Sequence, residues 1–107
     1  MKISKFLLII LFLFIINIQN LLAYDAKMIK GLEIFNETAG CAACHILKAA
    51  GSEGNVGPNL DTVSLTEDSV REMVTYGLGV MPAYGEGILT KEEIDIVSFY
   101  VANSVGK

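Results

Sequence analysis

Cys41-Ala42-Ala43-Cys44-His45 is the stretch on which the reading of this chain turns. It holds both cysteines of the 107-residue sequence and its single histidine. Cys-x-x-Cys-His is the attachment signature of a c-type haem. Each thiol adds to one vinyl group on the same porphyrin edge, and two intervening residues let a turn of helix present both sulfurs there. The next residue then swings its imidazole under the iron as the proximal ligand. Three other readings compete. In an exported chain Cys41 and Cys44 could form a structural disulfide. They could be a thioredoxin-like redox pair, although no βαβ pattern surrounds them. They could bind zinc, but a structural zinc site usually takes four Cys or His ligands and the chain offers three.

A haem iron needs a second axial ligand, and with one histidine a two-histidine site within the chain is excluded. The methionines remain. Met1 belongs to the N-terminal segment, Met28 lies ahead of the cysteines, and the spacing of Met73 with Val70 and Val74 reads as core packing. Met81 differs. It sits in Gly77-Leu78-Gly79-Val80-Met81-Pro82-Ala83-Tyr84-Gly85. Pro82 pushes the preceding residue into extended backbone, and the flanking glycines let the chain turn and approach a flat ligand. The competing reading of Met81 is a gap-filler in the core. As a ligand, its soft thioether favours ferrous iron and raises the reduction potential. It also closes the sixth position against oxygen or substrate, which suits electron transfer and not bond chemistry.

The rest of the chain reads as a helical wrapping. A first helix is expected over about Ala26–Asn36, with Ile29, Leu32 and Ile34 or Phe35 as its apolar stripe. Gly31 within it suggests close helix–helix contact. A second helix is expected over Glu67–Tyr76, capped by Thr66 and stopped by Gly77. A third runs over about Lys91–Asn103, opened by the capping box Thr90-Lys91-Glu92-Glu93. No segment alternates with period two, so little or no sheet is expected. About 20 residues between His45 and Thr66 read as a loop without structure of its own, ordered by packing on the cofactor. Within it, Gly57-Pro58-Asn59-Leu60 would bring a carbonyl to the ring N–H of His45, the usual support of a ligating imidazole. An ordinary turn is the alternative.

Composition bounds the rest. The length allows one domain. Lys2 and Lys5, the apolar run Phe6–Ile16 and the closing Leu21-Leu22-Ala23 describe a signal peptide over residues 1–23, cut after Ala23. Leu21 is larger than the ideal residue at its place before the cut. The rival reading is an uncleaved anchor, for which the stretch is almost long enough but carries Asn17, Gln19 and Asn20. Residues 24–107 would form the domain, which is short enough to need a staple or cofactor. The net charge of −4 argues against nucleic acid as a partner. It suits partners with a basic face, or solubility alone.

Taken together, these features resemble the class I cytochrome c family, and most closely its small bacterial periplasmic monohaem members. Gly31 and Phe35, Cys41-Ala42-Ala43-Cys44-His45, Gly57-Pro58-Asn59-Leu60, Met81-Pro82-Ala83-Tyr84 and Tyr100-Val101 occur in the family's order across nearly all of residues 24–107. The resemblance implies an all-α cytochrome c fold, three to five short helices around one covalently bound haem c. It implies that the first and last helices cross at right angles where Gly31 and Phe35 meet Tyr100. It implies His45 and Met81 as iron ligands, Pro58 as the carbonyl that holds His45, and Leu60 and Val80 against the porphyrin. At Tyr84 many relatives carry phenylalanine. The lysine ring of mitochondrial members is absent. The expected function is a periplasmic one-electron carrier that is not an enzyme, meeting redox donors and acceptors as a monomer or weak dimer. The alternative is a dedicated subunit of a larger membrane or periplasmic oxidoreductase. Membrane contact is expected only if the N-terminal segment is retained.

Overall fold

The computed structural model describes residues 2–107; Met1, the first residue of the expected export segment, lies outside the described residues. The described α-helices are α1 (Lys5–Glu33), α2 (Glu67–Tyr76) and α3 (Lys91–Ser104). The all-α expectation holds. The only sheet among the described residues is a pair of two-residue strands, β1 (Ile46–Leu47) and β2 (Ser52–Glu53), in antiparallel register.

The second and third helices begin at their expected caps. Thr66 accepts from the Ser69 amide at 3.1 Å, and Ser69 closes the reciprocal bond. At α3, Glu93 N–H donates to the Thr90 hydroxyl at 3.1 Å and Thr90 N–H to the Glu93 carboxylate at 2.9 Å. These bonds satisfy amides that a helix start otherwise leaves orphaned. Gly77 ends α2 at φ 68°, where a side chain would be strained.

The first helix departs from expectation. The stretch read as Ala26–Asn36 is the last part of one helix that starts at Lys5. No glycine or proline stands between Phe6 and Lys30 to stop it. Asn17 does not break it either, because its amide donates to the Leu13 carbonyl at 2.7 Å. The first turns pack on nothing, and their side chains are exposed. This part is long and apolar enough to cross a membrane, a test that an export signal near the N-terminus also passes. Past Glu33 the chain widens into a π-helical turn, Ile34–Thr38, with Ala39 N–H donating to the Ile34 carbonyl at 2.8 Å.

The buried face at the end of the first helix keeps Ile34 and Phe35 of the expected stripe but not Ile29 and Leu32. Ile29 is 70% exposed and Leu32 points outward, whereas Gly31, Ile34 and Phe35 are buried and Met28 is half-buried. The crossing with α3 selects this face. A Cβ on Gly31 would strike the Tyr100 side chain and come within 3.2 Å of the Ile96 carbonyl. The Phe35 and Tyr100 rings lie 6.1 Å apart at 56°, within the range of favourable aromatic pairs. Further along, Tyr24 meets Phe99 edge-on at 5.5 Å.

Helix α2 is fixed to α3 by Arg71, the chain's only arginine. It donates to Asp95 on α3 at 2.7 Å and to Glu67 and Asp68 on its own helix. Val70 and Val74 enter the core, but Met73, expected beside them, is 41% exposed. Val70 and Val74 at i and i+4 already fill the inward face, and Met73 falls on its edge.

The segment between His45 and Thr66 has structure of its own, contrary to expectation. Buried Ser52 accepts from Leu47 N–H at 2.9 Å and donates to the His45 carbonyl at 2.9 Å. Asn59 caps a 3-10 turn over Leu60–Thr62. Asp61 accepts from Lys48 N–H at 2.8 Å and from Gly106 N–H at 2.9 Å, tying the segment to the C-terminus. Short polar side chains thus do what a cofactor was expected to do alone.

Candidate haem-attachment site

The attachment motif lies on a 3-10 turn, Cys41–Ala43, entered through Gly40 at φ 68°. The left-handed turn at Gly40 redirects the chain out of the π-helical turn. Cys44 and His45 amides both donate to the Cys41 carbonyl, at 3.1 and 3.0 Å. The two thiols are unbridged, with Cys41 half-buried and Cys44 exposed. Two glycines of the following segment press against this turn. A Cβ on Gly54 would collide with the Ala42 and Ala43 backbone, and Gly57 N–H donates to the Cys44 carbonyl at 2.7 Å.

The imidazole of His45 is held from one side. Its Nδ1 lies 2.8 Å from the Pro58 carbonyl. A carbonyl oxygen only accepts, so Nδ1 carries a proton in this contact and, in the neutral ring, Nε2 keeps its lone pair. That tautomer is the one a metal needs, with the ring oriented by the other nitrogen. Gly57 makes the approach feasible, since a Cβ there would fall 2.5 Å from the ring Cε1. The rigid proline at 58 is legible in the sequence; the requirement for glycine at 57 shows only with the ring of His45 in place.

Burial pushes the Cys41 thiol up to about 11, partly offset by a backbone hydrogen bond and reinforced by the neighbouring Cys44. A thiol–disulfide catalyst needs the opposite, a thiolate stabilised near neutral pH. The redox-pair reading therefore finds no support in the surroundings of Cys41.

Met81 closes a tight turn. Leu78 N–H donates to the Met81 carbonyl at 3.1 Å and Met81 N–H returns to Leu78 at 3.0 Å, with Gly79 at φ 59° between them. The glycine at 77 again proves specific, because a Cβ there would collide with the Met81 carbonyl. Met81 is half-buried and packs against the core. Leu60 is likewise half-buried, while Val80 is 89% exposed. Val56, Val63 and Leu78 are exposed in the same two loops.

The residues present fit a covalently held haem. Two free thiols stand in one turn, an imidazole beside them offers Nε2, and a glycine leaves its ring room. Exposed apolar side chains in the loops on either side are what a porphyrin would cover. Two grooves lie away from the cysteines and His45: one of about 480 Å³ between α1 and α3, another of about 370 Å³ that runs along α2 to Gly77 and Leu78.

Comparison with known proteins agrees with this fit. Residues 26–101 match the family described as cytochrome c oxidase, cbb3-type, subunit III. The chain is 39% identical over 77 residues to cytochrome c6 of Microcystis aeruginosa, covering 66% of this chain and 89% of that protein. It is also similar to the crystal structure of the c-type cytochrome SorU from Sinorhizobium meliloti. That match has a TM-score of 0.72 and 45% identity, and covers 78% of this chain and 95% of the other. The fold is thus the cytochrome c fold, and the chain belongs to the monohaem c-type cytochrome family.

Proposed function

We propose that the protein is a periplasmic one-electron carrier holding one haem c through thioether bonds at Cys41 and Cys44, with His45 and Met81 as iron ligands. Family membership implies a haem electron carrier; the ligand set, the linkage and the location are this reading's own. Bound haem would supply an iron that cycles between the ferric and ferrous states. The chain's residues set the terms. Pro58 keeps the proton on His45 Nδ1 and presents Nε2. Met81 would be the second protein ligand to the iron and, as a soft thioether, would raise the potential. Leu60 and Val80 would lie against the porphyrin and exclude water from it. The Pro58 bond to His45, beside two unbridged thiols, is the observation that carries the reading.

Residues 1–23 would direct export and be removed, leaving 24–107 in the periplasm; the exposed apolar start of α1 is consistent with a signal or an anchor. Optical spectra of the purified protein, oxidised and reduced, test haem type and ligands together. A haem stain that survives denaturing electrophoresis tests the covalent link. Colourless protein of unmodified polypeptide mass, from a host competent in haem ligation, would overturn the reading.

One observation favours a second reading, that of a dedicated subunit. The matched family is described as a subunit of an oxidase. Size-exclusion of native extract separates the two: co-elution with a large enzyme sinks the free carrier, and elution as a small protein sinks the subunit.

A further inference from the structure

The two segments proposed to hold the haem come from distant parts of the chain, and one side chain joins them. The Tyr84 hydroxyl donates to the Ala39 carbonyl at 3.2 Å. Ala39 lies two residues before Cys41, and Tyr84 three residues after Met81. Among the described residues this is the only hydrogen bond between the Gly77–Leu89 loop and the segment from Thr38 to Val63. Tyr84 is itself a fixed point. Its N–H donates to the Val74 carbonyl of α2 at 2.9 Å, and its carbonyl accepts from Leu89 N–H at 3.0 Å. Its ring is buried in the core.

We infer that Tyr84 is a positioning residue for the sixth ligand: its hydroxyl holds the Met81 loop at a fixed distance from the attachment turn. The inference rests on the proposed ligation by Met81. A thioether is a weak ligand for ferric iron, so its occupancy depends on how firmly the loop is held in place. The strut opposes the outward swing that an exogenous ligand needs in order to displace Met81. Burial keeps the Tyr84 phenol above its ordinary range, so the hydroxyl retains its proton and remains a donor. The strut then loads on one carbonyl, whose backbone runs directly into Gly40 and Cys41.

The test is displacement of the sixth ligand in ferric holoprotein by imidazole, followed by loss of the weak red absorption band of sulfur-ligated iron. Tyr84→Phe removes only the hydroxyl. It should keep the band and give it up at about five-fold lower imidazole, the order of one neutral hydrogen bond. Asp61→Asn serves as the control: it loosens a different tie, between Lys48, Gly106 and the intervening loop, and should leave the imidazole midpoint unchanged. If Tyr84→Phe melts lower but titrates like wild type, or if Asp61→Asn shifts the midpoint equally, the role is one of general stability and the inference is wrong. If wild type lacks the red band altogether, Met81 is not the ligand, and both the ligation and the inference built on it fall.

Discussion

Gly57→Ala should injure the proximal side of the site through contact alone. The φ of Gly57 lies outside the left-handed region, so alanine is acceptable to the backbone. The added Cβ, however, would stand 2.5 Å from His45 Cε1 and 2.9 Å from Nδ1. Carbon atoms prefer about 3.5–4.0 Å, so the ring must retreat by about 1 Å. The Nδ1 bond to Pro58, now 2.8 Å, would then pass beyond useful hydrogen-bonding distance. Losing that bond costs about 1 kcal/mol, and overpacking adds about 1–3 kcal/mol. For a domain of this size the sum, about 2–4 kcal/mol, lowers the melting temperature by about 8–32 °C. Melting of the ferric holoprotein, followed at the haem absorbance, measures it. Gly51→Ala gives the contrast: at φ 67° with nothing within 4 Å, its penalty is backbone strain of about 1–2 kcal/mol, and it should leave the imidazole undisturbed. If Gly57→Ala melts within about 3 °C of wild type, the ring is not confined as described.

Met81→Ala should retain covalent haem and lose the red band of sulfur ligation; persistence of the band in the variant would show that another residue is the ligand. Asp61 is held below the ordinary carboxylate range, first by the Lys48 N–H and then by that of Gly106. Its stabilisation is therefore complete above the unfolded value of about 3.9 and is lost as pH falls through the lower folded value. Asp61→Asn should flatten the fall in melting temperature below about pH 4, and an unchanged acid limb would refute this role. Thr90→Ala removes the cap of α3 and should cost about 1 kcal/mol, read as a shift in the denaturation midpoint without change in slope.

The parts of this fold that the sequence disclosed are those governed by local chemistry. Thr66, Thr90 and Glu93 mark helix starts because an orphaned amide takes the nearest side-chain oxygen. Gly77 marks an end because its φ is denied to other residues. The rigid proline after Gly57 suggests a carbonyl near His45, the family resemblance implies that it is that of Pro58, and that carbonyl lies 2.8 Å from the ring nitrogen. What could not be read depends on partners far away in the chain. Ile29 and Leu32 make as good a stripe as Met28 and Gly31 until Tyr100 arrives to choose between faces. Met73 lies at the rim of an inward face, where spacing alone does not separate buried from exposed. The order in the loop after His45 comes from Ser52 and Asp61, small polar residues whose targets are backbone amides and not a recognisable motif. The requirement for glycine at 57 emerges only once the ring of His45 is in place.

The π-helical turn at Ile34–Thr38 holds one residue more than an ordinary helical turn between the α1–α3 crossing and the cysteines. Each residue of an α-helix advances the chain by about 100° around the axis, so a deletion in a regular turn rotates everything beyond it by that angle. Removing one residue here would instead let the Ile34 carbonyl close an ordinary i→i+4 bond and keep Cys41 near its present azimuth. Glu37 and Thr38 are solvent-facing, whereas Asn36 donates to the Ala50 carbonyl at 3.3 Å. Loss of Glu37 or Thr38 is thus expected to leave both sulfurs aimed as they are, a tolerance that the regular turns of α1 do not share.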